Sequence, residues 1–143
     1  MTPYDFKRVL AAVDGSEGSA KALDCAISIC QAVGAELMGL AVEGKLPAYA
    51  ASRGEVDEVK TEKDQYFAGV LEHARTTAAA QQVVMETDLV AGHAAEVITH
   101  YARAHGHDLI VIGHRGHFLG DYLLGSTADR VAHHAHCPVM VVR

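Results

Sequence analysis

Short apolar runs alternate along the chain with longer stretches in which apolar residues recur every three or four positions. A continuous apolar run marks a strand buried on both faces, whereas three- and four-residue spacing marks a helix with one buried stripe. Lys7 to Val13 is the first such run, and Asp14-Gly15-Ser16-Glu17 breaks it. Ala20, Leu23, Ala26, Ile27 and Cys30 then predict a helix from about Ser16 to Val33, closed by Gly34 at the position that favours a left-handed backbone. Glu36 to Val42 predicts a second strand, and Glu43 to Gly54 a loop of the length that often covers a site. From Glu55 to Ala80 a long helix is expected, with Val56, Val59, Tyr66, Val70, Leu71 and Ala74 toward a sheet.

Val83 to Leu89 alternates apolar and polar residues, as an edge strand does. A helix follows from about Ala94 to His105, with Val97, Ile98 and Tyr101 inward and Gly106 closing it. Leu109-Ile110-Val111-Ile112 is a further buried run, Ala128 to Ala135 reads as a helix, and Pro138 begins a last apolar strand ending at Val142. Strict alternation of strands and helices predicts a parallel sheet covered on both faces, with right-handed crossovers. In such sheets ligands lie beyond the carboxyl ends of the strands, where the strand order reverses.

The most informative stretch lies between the fourth strand and the last helix. Ile112 leads into Gly113-His114-Arg115-Gly116, and eight residues (His117 to Leu124) separate Gly116 from Gly125-Ser126-Thr127. Glycines admit φ > 0 and close approach of a ligand to the backbone. A helix start offers unpaired N–H groups and the positive end of the helix dipole, both suited to phosphate. The simpler alternative is a strand–turn–helix with Ser126 as an ordinary N-cap.

This stretch resembles the nucleotide-binding branch of the universal stress protein family, which carries Gly-x2-Gly-x9-Gly-(Ser/Thr) after its fourth strand and a closing Pro-Val-x-Val-Val strand. Cys137-Pro138-Val139-Met140-Val141-Val142 is similar to that closing strand, and Val9-Leu10-Ala11-Ala12-Val13-Asp14-Gly15-Ser16 to the family's first strand and turn. The spacer here is one residue shorter than the family pattern. The resemblance implies one universal-stress-protein domain over residues 1–143. It also implies a three-layer, Rossmann-like α/β fold, with a five-stranded parallel sheet in the order 3-2-1-4-5 and four helices. By the same resemblance Asp14 and Val42 would meet the adenine and ribose, and Ile112 and Gly113 would lie beside the nucleoside. Arg115 and Gly116 would sit near the first phosphates, and Gly125, Ser126 and Thr127 would hold the outer ones. Local roles remain open beside these: Asp14 or Ser16 as helix cap, Arg115 as a solvated turn residue, Val42 as core.

Composition narrows the partners. The chain has 143 residues, half of them apolar, with 12 basic against 18 acidic residues and a formal charge of -6. No Lys/Arg cluster appears, which argues against a nucleic-acid surface. The three cysteines, Cys25, Cys30 and Cys137, form no CxxC, and with no signal-peptide or membrane-length apolar run they predict a cytoplasmic, soluble protein with free thiols. His133, His134, His136 and Cys137 are adjacent, but only His133 and His136 share a helical face. Their place in a last helical turn fits the dipole rule without a metal.

Missing motifs are equally informative. There is no GxxxxGK[ST], no GxGxxG after the first strand, no acidic pair at a strand end for Mg²⁺ and no GxSxG elbow. With those classes set aside, the resemblance implies an ATP-binding stress-response module, with or without Mg²⁺, that works as a homodimer through its C-terminal strand and contacts a further protein partner. No catalytic residue is assigned. The competing expectations are an interaction protein of the same fold that binds no nucleotide, and a slow ATPase.

Overall fold

The computed structural model describes residues 5–44, 53–114 and 124–143. Its elements alternate as β1 (Arg8–Ala12), α1 (Glu17–Val33), β2 (Glu36–Glu43), α2 (Arg53–Ala80), β3 (Met85–Ala91), α3 (Ala94–Ala104), β4 (Leu109–Gly113), α4 (Ser126–His134) and β5 (Val139–Val142). The five strands form one parallel sheet in the order β3-β2-β1-β4-β5, the order expected. The chain builds outward from β1 through β2 and β3, then crosses back to β4 and β5. The order thus reverses between β1 and β4.

Alternate residues of each central strand feed different cores. Val9, Ala11, Leu109 and Val111 join Ala22, Leu23, Ala26 and Ile27 of α1 and Leu71, Ala74 and Ala78 of α2 on one face. Leu10, Leu40, Ile110 and Ile112 join Ala95, Ile98 and Tyr101 of α3 and Ala128 and Val131 of α4 on the other. All five residues of β4 are buried, which is why its run is unbroken. Each large side chain removed from water in these layers contributes about 1.5–3 kcal/mol.

Local chemistry sets the helix ends. The Ser19 amide donates to Ser16 Oγ at 3.2 Å, so Ser16 caps α1. Gly34 (φ 74°) ends the helix with its amide on the Cys30 carbonyl. All three cysteines are free thiols.

Several sequence expectations are corrected. The third strand is displaced two residues, to Met85–Ala91, because Val84 projects into solvent (89% exposed) and pairing with β2 starts at Met85. Tyr66 is not toward the sheet; it is 54% exposed, and Phe67 instead packs beside Val70 against the core. Val56 and Val59 lie outside the residues whose side chains are described. The last helix starts at Ser126, not Ala128, with Gly125 in the cap position, and His136 falls beyond its end. Pro138 precedes β5, and its carbonyl accepts the Ile110 amide at 3.0 Å.

Candidate functional site

A cavity opens at the carboxyl ends of β1, β2 and β4, where the strand order reverses. Its volume is about 150 Å³, below the roughly 300–1,000 Å³ usual for sites that enclose a whole ligand. Of the residues singled out in the sequence, Asp14, Val42, Ile112, Gly113 and Thr127 line it together. Gly125 and Ser126 stand next to Thr127 at the start of α4, while Arg115 and Gly116 lie outside the described residues.

The β1–α1 turn is held by its own hydrogen bonds. The Ser16 amide donates to Asp14 Oδ1 at 2.9 Å, and the Asp14 amide donates to Ser19 Oγ at 3.2 Å. From α2, the Tyr66 hydroxyl donates to the Asp14 carbonyl at 2.7 Å. Gly15 has φ 84°, and a β-carbon there would run into that hydroxyl. Asp14 is thus a turn-forming carboxylate at the cavity wall, and Ser16, not Asp14, caps α1.

Gly113 has a packing reason to be glycine. A β-carbon on it would lie 2.6 Å from the carbonyl carbon and oxygen of Gly18, so the end of β4 presses directly on the first turn of α1. The next residue, His114, is buried; its amide donates to the Val142 carbonyl at 2.8 Å and its carbonyl accepts the Gly125 amide at 3.2 Å. Gly125 has φ -60° and ψ 149°, a backbone open to any residue, so the positive φ expected there is absent. What glycine contributes at 125 is the lack of a side chain. Gly125 has no side chain to cap α4, in contrast to Ser16 at α1; Thr127 of the first turn lines the cavity, and Ser126 precedes it in the helix.

Sequence reasoning missed several walls. Leu40, Ala94 and Ile98 line the cavity, as do Ser16 and Ser19. Ala94 and Ile98 come from the start of α3, whose position at the same sheet edge follows from the alternation itself; Gly92 (φ 145°) turning β3 into α3 was the available signal. The chemistry on offer is an apolar slot (Leu40, Val42, Ile98, Ile112) whose lining also includes one carboxylate, Asp14, and Thr127 from the first turn of α4. A flat apolar ring with a trailing anion matches that layout, and the residues present fit the base and phosphates of a nucleotide.

Far from this cavity, at the other end of β4, His107 is 2% exposed and its Nδ1 has no hydrogen-bond partner. Burial, then the neighbouring Arg8 and His105 charges, lower its pKa from 6.5 to about 4. Tyr101 stacks on His105 and gives its hydroxyl to Asp88 Oδ2 at 2.9 Å. Burial and that carboxylate raise the phenol to about 12.

Fold and crevice together define a three-layer parallel α/β protein with a cavity at the topological switch point. The model of the universal stress protein family matches residues 5–143, and the chain belongs to that family. Universal stress protein YxiE of Bacillus subtilis is 35% identical over 96% of this chain and 99% of its own length. The solved structure of universal stress protein UspA from Lactobacillus plantarum superposes with a TM-score of 0.86 at 26% identity, covering 96% of this chain and 98% of that one. A family protein from Arabidopsis thaliana, solved with AMP bound, gives 0.73 at 20% identity over 95% and 90% of the two chains, a likeness of fold. Among the described residues no helix is long and apolar enough to cross a membrane.

Proposed function

We propose that the protein is an ATP-binding regulatory module of the stress response, and that the cavity between β1, β2 and β4 takes the nucleoside end of ATP. The observation that carries this reading is the convergence of Asp14, Val42, Ile112, Gly113 and Thr127 on one slot beside an uncapped helix start. The small volume suits a base and part of a ribose, with the phosphates outside it over Gly125, Ser126 and Thr127. Arg115 and Gly116 would complete the phosphate end. AMP bound to the Arabidopsis relative supports the choice of an adenine nucleotide. Mg²⁺ would then be held mainly by the nucleotide's own phosphates, since Asp14 is the one carboxylate among the described lining residues and its Oδ1 already accepts the Ser16 amide.

The module is proposed to act as one cytoplasmic unit over residues 1–143 and as a homodimer. β5 is an edge strand of four residues with Met140 exposed, the kind of edge that pairs with a second copy. A nucleotide-dependent contact with another protein would be its output. The test is equilibrium binding of a fluorescent ATP analogue, with mass spectrometry of nucleotide released from the purified protein. Saturable binding displaced by ATP supports the reading; an empty protein that fails to bind the analogue supports the interaction module without nucleotide.

A further inference from the structure

On the α1–α2 side of the sheet a groove runs between the two helices and adjoins the switch-point cavity at Val13, Ser16 and Ser19, which line both. The groove between them has a volume of about 560 Å³, inside the roughly 300–1,000 Å³ range of small-molecule sites. Leu23 and Ala20 form one wall and Val70, Ala74 and Tyr66 the other. Tyr66 is oriented by its hydroxyl bond to the Asp14 carbonyl, and its ring remains half exposed at the groove.

Gly69, exposed, opens the rim of this groove. It lies inside the 28-residue α2, where glycine costs stability relative to alanine, and it lines the groove. Packing does not demand it: a β-carbon at Gly69 would meet nothing within 4 Å, and its φ is not in the left-handed region. The contrast with Gly15 and Gly113, where a β-carbon collides, is direct. A helix-interior glycine with neither a conformational nor a contact reason leaves open space where a side chain would have stood.

The charge of the lining selects the occupant. Asp24 is the one carboxylate among the described lining residues, no Lys or Arg is among them, and His73 supplies the one imidazole. An anion such as a nucleotide finds no Lys or Arg there, whereas a cation gains from Asp24. We propose that the α1–α2 groove is a second ligand site, which takes a small molecule with a flat apolar body and a protonated amine. The body lies over Leu23, Val70 and the space at Gly69, and the amine reaches Asp24.

The probe is 1-naphthylmethylamine, with 1-naphthylacetate as its anionic counterpart, titrated against the full chain by naphthyl fluorescence. The amine is expected to bind saturably, one per chain, and about tenfold or more tighter than the acetate. Gly69→Met fills the space with a good helix former, so its melting temperature should not fall while amine affinity drops about tenfold. Asp24→Asn should weaken the amine and remove most of its preference over the acetate. Three results would overturn the site: no saturable binding, equal affinity for amine and acetate, or unchanged amine binding in a folded Gly69→Met. Should Gly69→Met not fold, the Asp24→Asn comparison decides alone, and an amine preference unchanged in that variant would overturn the site.

Discussion

The amide of Gly125 donates to the carbonyl of His114 at 3.2 Å, so the stretch from Arg115 to Leu124 leaves and returns at one fixed point. His114 is itself anchored, since its amide donates to the Val142 carbonyl at the end of β5. The helix start is therefore registered on the sheet, not on the length of the intervening loop. On that ground the spacer, one residue short of the family pattern, is predicted to leave the site in place. Lengthening the loop by one residue alters its closure entropy by only about 0.1 kcal/mol. Inserting a glycine after Gly120 should thus leave ATP affinity within about twofold of wild type, measured by titration. A gain of tenfold or more would show that the short spacer distorts the site.

Gly113 predicts a packing effect separable from ligand contact. Gly113→Ala places a β-carbon 2.6 Å from the Gly18 carbonyl, and neither backbone can yield without moving α1. The expected cost is about 1–3 kcal/mol, the range for overpacking. Gly44→Ala, where a β-carbon meets nothing within 4 Å, is the control. Thermal melts should show a drop of several degrees for the first and almost none for the second. Equal melts would mean that the end of β4 is free to shift.

Much of the fold was legible because buried parallel strands leave unbroken apolar runs, and Val9–Val13 and Leu109–Ile112 are such runs. Strand order was not readable from periodicity; it came from the resemblance, and the register of β1 with both β2 and β4 agrees with it. Boundaries failed where tertiary contact overrides pattern. Val83 is buried without pairing, which hid the start of β3 two residues later, and Tyr66 answers to the Asp14 carbonyl instead of to the core. At the site, the polar rim was visible as Gly125-Ser126-Thr127, but Ala94 and Ile98 were not, since an apolar wall looks like any other core residue. The reason for glycine at 113 was also invisible, because Gly18 lies 95 positions away in sequence.

His107 gives the protein an acid-sensitive end opposite the switch-point cavity. Its folded pKa, about 4, lies below the ordinary 6.5, so the unfolded chain takes up the proton more readily. Stability from this residue is complete above about pH 6.5 and is lost as pH falls toward 4, to a limit of about 3 kcal/mol. Denaturant midpoints of the wild type and His107→Gln should converge as pH drops from 7 to 4.5. A constant difference across that window would place the acid sensitivity elsewhere.

Bound ATP should be hydrolysed slowly or not at all. Phosphoryl transfer needs a placed nucleophile, a held metal and positive charge on the transferring group. Among the described residues lining the cavity there is one carboxylate, Asp14, engaged by the Ser16 amide, and no Lys or Arg. Backbone N–H groups and hydroxyls at α4 would stabilise ground and transition states alike, a pattern that gives affinity without turnover. Phosphate release should be far below the roughly 10 s⁻¹ typical of enzymes. A turnover near that value, lost in Ser126→Ala, would make the protein an ATPase.

The most direct measurement is an ATP titration of the isotopically labelled protein followed through its backbone amide resonances. Saturable shifts are predicted at Asp14, Val42, Gly113, Ser126 and Thr127, the residues gathered around the slot and the start of α4. Gly69 and Thr77 in the α1–α2 groove should stay where they are. Shifts confined to that groove, or none at millimolar ATP, would contradict the account.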